Sequence, residues 1–246
     1  MFLAGLFPVW KIAENYQSSF DALVDYLRRE EYDAAGIDAP FSIPKQFIEN
    51  YSYGAVLSRV SEIPKENRSF PKGFDFVRVF AGQDPPLTPP KPYRVTDRYW
   101  IDRGVNTRST MWHAARAGIG RPGSPMTAAC MMLIYETGCP VWPWNDSKSI
   151  RLLVEAFPAG QLCQWNLPHQ KYQGKEPSAM ETRNGIIGKL KMRMNIKDEF
   201  TEYIERDGDA LDSVICTFAA IAVTKDKVAI KPGNAAIKEG WISVHE

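Results

Sequence analysis

The stretch between Asp212 and Lys225 contains no charged residue, and no other feature constrains the fold as strongly. Residues 209–224 read Asp-Ala-Leu-Asp-Ser-Val-Ile-Cys-Thr-Phe-Ala-Ala-Ile-Ala-Val-Thr, a composition that predicts a helix. A helix that is apolar all round must be covered by other elements, and this one is shorter than the ~20 residues that span a bilayer. It is therefore predicted to be deeply packed, with its acidic first turn at one edge of a sheet.

Two short apolar segments predict buried strands of that sheet. Ala34-Ala-Gly-Ile37 is followed by Asp38 and a proline two residues later, and Leu152-Leu-Val154 is followed by Glu155 and a proline three residues later. A helix over residues 17–30, with apolar residues at helical spacing, precedes the first strand. A helix followed by a buried strand is typical of α/β layers.

The chain of 246 residues is predicted to be one domain, residues 1–246, with an insertion over approximately residues 60–145. Prolines interrupt residues 61–110, which predicts an irregular excursion. The remaining predicted elements are strands at residues 2–12 and 241–244 and helices at residues 107–118, 124–137, 177–194 and 197–206.

Four acids interrupt apolar segments at corresponding places. Asp38 and Glu155 lie at the carboxyl ends of predicted strands, where ligands bind in open α/β sheets. Asp209 and Asp212 are three residues apart, on one face of the last helix. If these edges coincide, the carboxylates repel one another unless a hard cation such as Mg²⁺ or Mn²⁺ binds them. The local alternatives are a helix cap for Asp209 and a turn for Asp38.

Composition excludes several classes of protein. The formal net charge of +1 gives no general attraction to polyanions. The four cysteines show no metal-ligand spacing, which favours a reducing compartment. No apolar run is long enough for a membrane span, and the N-terminal residues lack the basic region of a signal peptide. A cytoplasmic protein without a membrane partner is expected, while its oligomeric state stays open.

The same segments resemble an uncharacterised family, the domain of unknown function 429. Gly36-Ile-Asp-Ala-Pro-Phe-Ser-Ile-Pro44 is similar to the family's G-[IV]-D-A-P-[LF]-S-[LI]-P element. Arg94-Val-Thr-Asp97 and Val154-Glu-Ala-Phe-Pro158 resemble its R-x-x-D and E-[VA]-[FYH]-P elements. Gly208-Asp-Ala-Leu-Asp-Ser213 and Glu239-Gly-Trp-Ile242 resemble its D-x-x-D-A helix start and its closing E-G-W-I.

The resemblance implies a ribonuclease-H-like fold, a mixed sheet flanked by helices, and a metal-dependent phosphodiester hydrolase acting on a nucleic acid or nucleotide. It implies Asp38, Glu155 and Asp212 as metal ligands, with Asp209 auxiliary to them. The set implied to contact a phosphate or brace the site is Arg94, Asp97 and Arg98. The strand that opens such folds, in the pattern G-[IV]-D, has no counterpart before residue 30, so its acid is expected to be absent.

Two other functions remain open at the level of sequence. One is a non-catalytic ribonuclease-H-like module that binds a nucleotide or a protein partner. The other is a sugar- or nucleotide-phosphate enzyme of the wider actin-like group, for which the Gly-rich phosphate hairpin is not found. His169, in a loop after the Glu155 strand, is a candidate general base.

Overall fold

The fold is that of a computed structural model, and the strands within its described residues pair only in parallel. The structure describes residues 2–3, 19–64, 71–82, 92–107, 109–111 and 123–246. The strands are β1 (Phe2–Leu3), β2 (Ala34–Ile37), β3 (Val141–Trp142) and β4 (Leu152–Glu155). They form one sheet in the order β1-β2-β4-β3. Helices on both faces of the sheet cover β2 and β4, which accounts for their continuous apolar runs.

Helices make up most of the described chain, and one 3-10 turn, Lys45–Phe47, lies between β2 and the second of them. The helices are α1 (Ser19–Arg29), α2 (Tyr53–Val60), α3 (Gly73–Ala81), α4 (Val95–Ile101), α5 (Gly123–Thr137), α6 (Pro158–Gln164), α7 (Pro177–Lys191), α8 (Asp198–Arg206), α9 (Gly208–Thr224) and α10 (Asn234–Glu239).

Helix α9 covers one face of the sheet at very short range. Its small residues, including Ala219 and Ala220, are buried with Ala34 and Val154 in one apolar cluster. Gly36 of β2 faces the helix so closely that an added Cβ would lie 1.9 Å from the carbonyl oxygen of Cys216. The predicted deep burial of this helix is confirmed, since its side chains from Val214 to Val223 are largely buried.

The opposite face of the sheet packs against α1 and α5. Alternate strand residues, Ala35 of β2 and Leu153 of β4, share an apolar cluster with Leu27 of α1 and Met131 of α5. Successive side chains of a strand point to opposite faces, so helices cover the sheet on both sides. The predicted α/β class is confirmed, while the mixed sheet implied by the resemblance is not, because the described strands pair only in parallel.

The predicted insertion is more helical than its prolines suggested. Residues 61–110 were expected to be irregular, but they contain α3 and α4, and Phe76, Val77 and Phe80 of α3 are buried in the same cluster as α5. Pro71 and Pro92 precede α3 and α4 without interrupting them. Short helices that lie between prolines carry too few apolar repeats to be recognised from periodicity.

One predicted element differs at the C-terminal end of the chain and one differs within it, while the predicted N-terminal strand is described only in part. Residues 241–244 form no strand, and the tail contributes one isolated antiparallel bridge between Val228 and His245. Of the predicted strand at residues 2–12, only Phe2–Leu3 lies within the described residues. Of the helix predicted at residues 107–118, only residues 107 and 109–111 lie within the described residues, and these are not helical.

No helix within the described ranges is long and apolar enough to cross a membrane.

The contact between Gly36 and α9 predicts a large effect of a single methyl group. Gly36→Ala is expected to lower the free energy of unfolding by about 3 kcal/mol, because the backbone of α9 must move to admit the Cβ. The matched control is Gly185→Ala in α7, where the added Cβ meets open space, and a gain of roughly 0.5–1 kcal/mol is expected there. Urea denaturation measures both, and equal stability of the two variants would contradict the packing described.

Candidate functional site

A cleft of about 980 Å³ lies where β2 and β4 end. Asp38 follows β2 directly, and Glu155, the last residue of β4, is paired in register with Ile37. The first turns of α9 bring Asp209 and Asp212 to the same cleft, so all four predicted acids line it. The parallel strands and the helix start therefore place these carboxylates on one surface.

The Glu155 carboxylate is bound by Arg94 beneath the cleft. The Nη1 and Nη2 atoms of Arg94 donate to the Glu155 oxygens at 2.8 Å and 2.6 Å. The backbone N–H of Phe41 donates a further hydrogen bond, at 3.0 Å, to Glu155 Oε2. Arg94 and Glu155 are almost fully buried, at 1% and 2% exposure. A charge buried to this degree is stable only when it is paired and hydrogen-bonded.

Arg94 has no donor left for a ligand. Its Nη2 and Nε atoms also donate to the two oxygens of Asp97, at 2.9 Å and 3.1 Å, and its Nη1 donates to Ser42 Oγ at 3.0 Å. These five hydrogen bonds use all five N–H groups of a guanidinium. Of the two roles that the resemblance gives Arg94 and Asp97, the geometry fits bracing of the site and not contact with a phosphate.

Arg98 does not share this role. It is exposed on α4, and the cleft lining includes Arg94 and Asp97 from this part of the chain but not Arg98. Among the described hydrogen bonds, none joins the Arg98 side chain to Glu155 or to the acids of α9. Its implied contact with a substrate phosphate therefore has no support in the cleft.

Asp212 is a buried carboxyl with two neutral donors. Tyr172 Oη donates to its Oδ1 at 2.6 Å, and Gln173 Nε2 donates to its Oδ2 at 2.5 Å. Burial raises the pKa of Asp212 to about 6, although the hydrogen bonds from Tyr172 and Gln173 act in the opposite direction. This carboxyl therefore changes its protonation state close to neutral pH.

Asp209 and Asp38 lie at the exposed rim of the cleft. The cap of α9 is Asp207, whose carboxylate accepts from the N–H groups of Asp209 and Ala210, so the capping alternative for Asp209 is wrong. Burial raises the pKa of the Cys216 thiol, and the negative charges of Asp38 and Asp212 raise it further. Asp38 and Asp212 therefore both act electrostatically on one buried thiol.

The metal set implied by the resemblance fits only in part. Glu155 does not fit as a ligand, because the guanidinium of Arg94 neutralises its charge and, with the N–H of Phe41, takes its oxygens. In the described part of the chain, no three His, Cys, Asp or Glu side chains are grouped as a ready metal cage. Asp38 and Asp212 line the same cleft, and Mg²⁺ is commonly bound by one or two carboxylates together with water and substrate phosphate.

Several residues at the site had no role assigned from sequence. Glu239 is buried, and its carboxylate accepts from the N–H groups of Lys45 and Val95 at 2.7 Å and 2.8 Å. It thereby joins the tail to the start of α4. The E-G-W-I element at residues 239–242 was the available signal for Glu239, whereas Tyr172 and Gln173 lie in a loop without any. His169 lines the cleft as well.

Fold and cleft together define an α/β protein with a carboxylate-lined cleft at the carboxyl edge of a parallel sheet. The chain belongs to a family described as "protein of unknown function (DUF429)", whose model matches residues 9–237. The family assignment made from the sequence elements is thus confirmed. No curated protein and no solved structure matches the chain.

The Arg94 network predicts a large cost for removing its cation. Arg94→Met is expected to lower the free energy of unfolding by about 3–5 kcal/mol, because the carboxylates of Asp97 and Glu155 stay buried without a cation. Arg94→Lys should restore little, since an ammonium group cannot make five planar hydrogen bonds. The control is Arg98→Met, expected within roughly 0.5 kcal/mol of wild type. Chemical denaturation that found the two methionine variants equally stable would contradict the account.

The raised pKa of Asp212 predicts a pH dependence of stability with a definite sign. The native state keeps a proton up to pH of about 6, whereas the unfolded chain releases it near the ordinary value of 3.8. The free energy of unfolding should therefore fall as pH rises through this window, by about 3 kcal/mol relative to Asp212→Asn. The hydrogen bond from Tyr172 lowers the pKa of Asp212. Tyr172→Phe should therefore raise this pKa and extend the window to higher pH. A difference between wild type and Asp212→Asn that stayed flat from pH ~4 to ~7 would rule out this titration.

Proposed function

We propose that the protein is a metal-dependent phosphodiester hydrolase that acts on a nucleic acid or nucleotide in this cleft. The observation that carries the proposal is the position of Asp38, Asp209 and Asp212 on one cleft at the carboxyl edge of the sheet. Carboxylates so placed repel one another, and a hard divalent cation that also binds phosphate oxygens relieves that repulsion. The cation of choice is Mg²⁺ or Mn²⁺.

Asp38 and Asp212 would hold the cation, and Asp209 would add negative charge at the rim. A cation bound there supplies Lewis-acid polarisation of a phosphoryl oxygen and lowers the pKa of a bound water. Tyr172 and Gln173 hold the carboxyl plane of Asp212 in place, as partners of ligands do in metal sites. Because the pKa of Asp212 is raised to about 6, a proton competes with the cation below that pH.

Two further residues of the chain would contribute, one beside the cation and one at a distance from it. His169 lines the cleft and is the candidate group to accept a proton from an attacking water. Arg94 would act at a distance. It binds Glu155 and Asp97, and it thereby fixes the end of β4 beside the end of β2, which Asp38 follows. The proposal includes a cytoplasmic location, supported by four unpaired cysteine thiols.

One observation favours a second function, a non-catalytic module that binds a nucleotide or protein partner. The acid at the end of β4, which the resemblance implies to be a metal ligand, is neutralised by Arg94 instead. A cleft that has lost one ligand would retain its shape and its hydrogen-bonding groups. Binding without turnover would then be its activity.

The proposal predicts saturable binding of Mn²⁺ that depends on two named carboxylates. In calorimetric titrations at pH ~7.5, wild type should bind Mn²⁺, and Asp38→Asn and Asp212→Asn should each weaken binding at least about tenfold, because each removes a charged ligand. At pH ~5, binding by wild type should weaken as Asp212 takes up its proton. The exposed Asp198 of α8, which does not line the cleft, gives the matched control Asp198→Asn.

Hydrolysis of bis(p-nitrophenyl) phosphate and of single-stranded oligonucleotides separates the two functions. Turnover that needs Mn²⁺ and is lost in Asp212→Asn supports the hydrolase. Binding of Mn²⁺ without turnover supports the binding module. Absence of Mn²⁺ binding, with or without an added nucleotide, would refute a metal-dependent site.

A further inference from the structure

The cleft has a second half that the carboxylates do not explain. On the side of the sheet opposite α9 it is walled by apolar side chains from three elements: Leu23 and Tyr26 of α1, Ile37 of β2, and Met126 and Leu133 of α5. Leu23, Tyr26 and Ile37 are partly buried and pack against the main apolar cluster, and Leu133 belongs to it. This apolar wall is continuous with the acidic end, because one cavity is lined by both.

The size of the cleft exceeds what a phosphate group and a cation require. Its volume of about 980 Å³ is at the upper end of the range of small-molecule sites, roughly 300–1,000 Å³. Such sites bind ligands whose polar and apolar parts match the division of their walls. The ligand must therefore carry a sizeable apolar part beside the part that meets the carboxylates.

The apolar wall has the chemistry of a platform for a planar ring. Tyr26 presents an aromatic side chain, and Met126 presents a flexible thioether of the kind that packs well on aromatic faces. Aromatic side chains stack single bases of nucleic acids with little dependence on sequence. A base reaches a walled cleft of this kind only when it is unstacked, in a single strand or in a free nucleotide.

We propose that the cleft takes one unstacked nucleotide, with its base on the wall formed by Leu23, Tyr26, Ile37, Met126 and Leu133 and its phosphate at the end formed by Asp38 and Asp212. The position of the phosphate rests on the proposed function, whereas the position of the base rests on the apolar wall alone. The substrate class that follows is single-stranded nucleic acid or mononucleotides, and not intact duplex.

Titration of adenosine in the absence of metal tests the base position without the metal site. Wild type, Tyr26→Phe and the control Tyr203→Ala should bind adenosine alike, since Tyr203 is an exposed tyrosine of α8 that does not line the cleft. Tyr26→Ala should bind about tenfold more weakly, the equivalent of about 1.4 kcal/mol. Ribose should bind at least about tenfold more weakly than adenosine to wild type.

A second variant keeps the test decisive if Tyr26→Ala is poorly folded. Met126 is 42% exposed, so Met126→Glu should leave the fold intact while placing a charge on the wall, and adenosine binding should fall about tenfold or more. Equal binding of adenosine and ribose to wild type would overturn the base position. So would adenosine binding that neither variant weakens.

Adenosine monophosphate with Mn²⁺ separates this inference from the proposed function. Mn²⁺ should strengthen binding of the monophosphate and leave that of adenosine unchanged. Adenosine binding without any effect of Mn²⁺ on the monophosphate would retain the base position and refute the metal-dependent function. Monophosphate binding that needs Mn²⁺, with no adenosine binding, would retain the proposed function and refute the base position. Absence of binding in every titration would refute both.

Discussion

The guanidinium of Arg94 joins segments of the chain that are far apart in sequence. It binds Glu155 at the end of β4, Asp97 in the first turn of its own helix, and the hydroxyl of Ser42 after β2. Two carboxylates and one cation are withdrawn from water together, at a cost that is offset only when every donor and acceptor is used. Here every donor of the cation is used, so this part of the predicted insertion is fixed to the sheet edge by charge as well as by apolar packing.

Glu239 extends the same network to the tail of the chain. Its carboxylate accepts from the backbone N–H groups of Lys45 and Val95, and its carbonyl oxygen accepts from Ser42 Oγ. The hydroxyl of Ser42 therefore stands between Arg94 and Glu239. Neighbouring backbone contacts follow: Ile242 N–H donates to Thr96 Oγ1 at 3.1 Å, and Ser243 N–H donates to the carbonyl oxygen of Glu155 at 3.0 Å. Arg94, Asp97 and Glu155, which line the cleft, are thus part of a hydrogen-bonded network that reaches the tail of the chain.

The acids of the cleft are of two kinds, according to whether they belong to this hydrogen-bonded network. Glu155 and Asp97 are buried, paired and structural, whereas Asp38 and Asp209 are exposed at the rim. Asp212 lies between them, because it is buried but has only neutral donors, and burial raises its pKa to about 6. Groups whose pKa is shifted by burial in a cleft are good candidates for function. The proposed function therefore assigns ligand binding to Asp38 and Asp212.

The sequence was sufficient for the parts of the site that have a local pattern. Strands β2 and β4, the acids at their ends and the buried α9 follow from apolar runs that stop at a charge. The ion pair of Arg94 with Glu155 could not be predicted, because a contact between residues so distant in the chain leaves no local pattern. Helix α3 was missed for a different reason, since its nine residues provide only about two and a half turns of periodicity between prolines.

Crystals grown with Mn²⁺ would show directly, by anomalous scattering, which carboxylates bind the cation. We expect one peak at about 2.1 Å from carboxylate oxygens of both Asp38 and Asp212, with Arg94 still bound to Glu155. A peak bound by Glu155, with Arg94 displaced, would contradict the division of the acids described here. Crystals with no peak in the cleft at saturating Mn²⁺ would contradict the metal site itself.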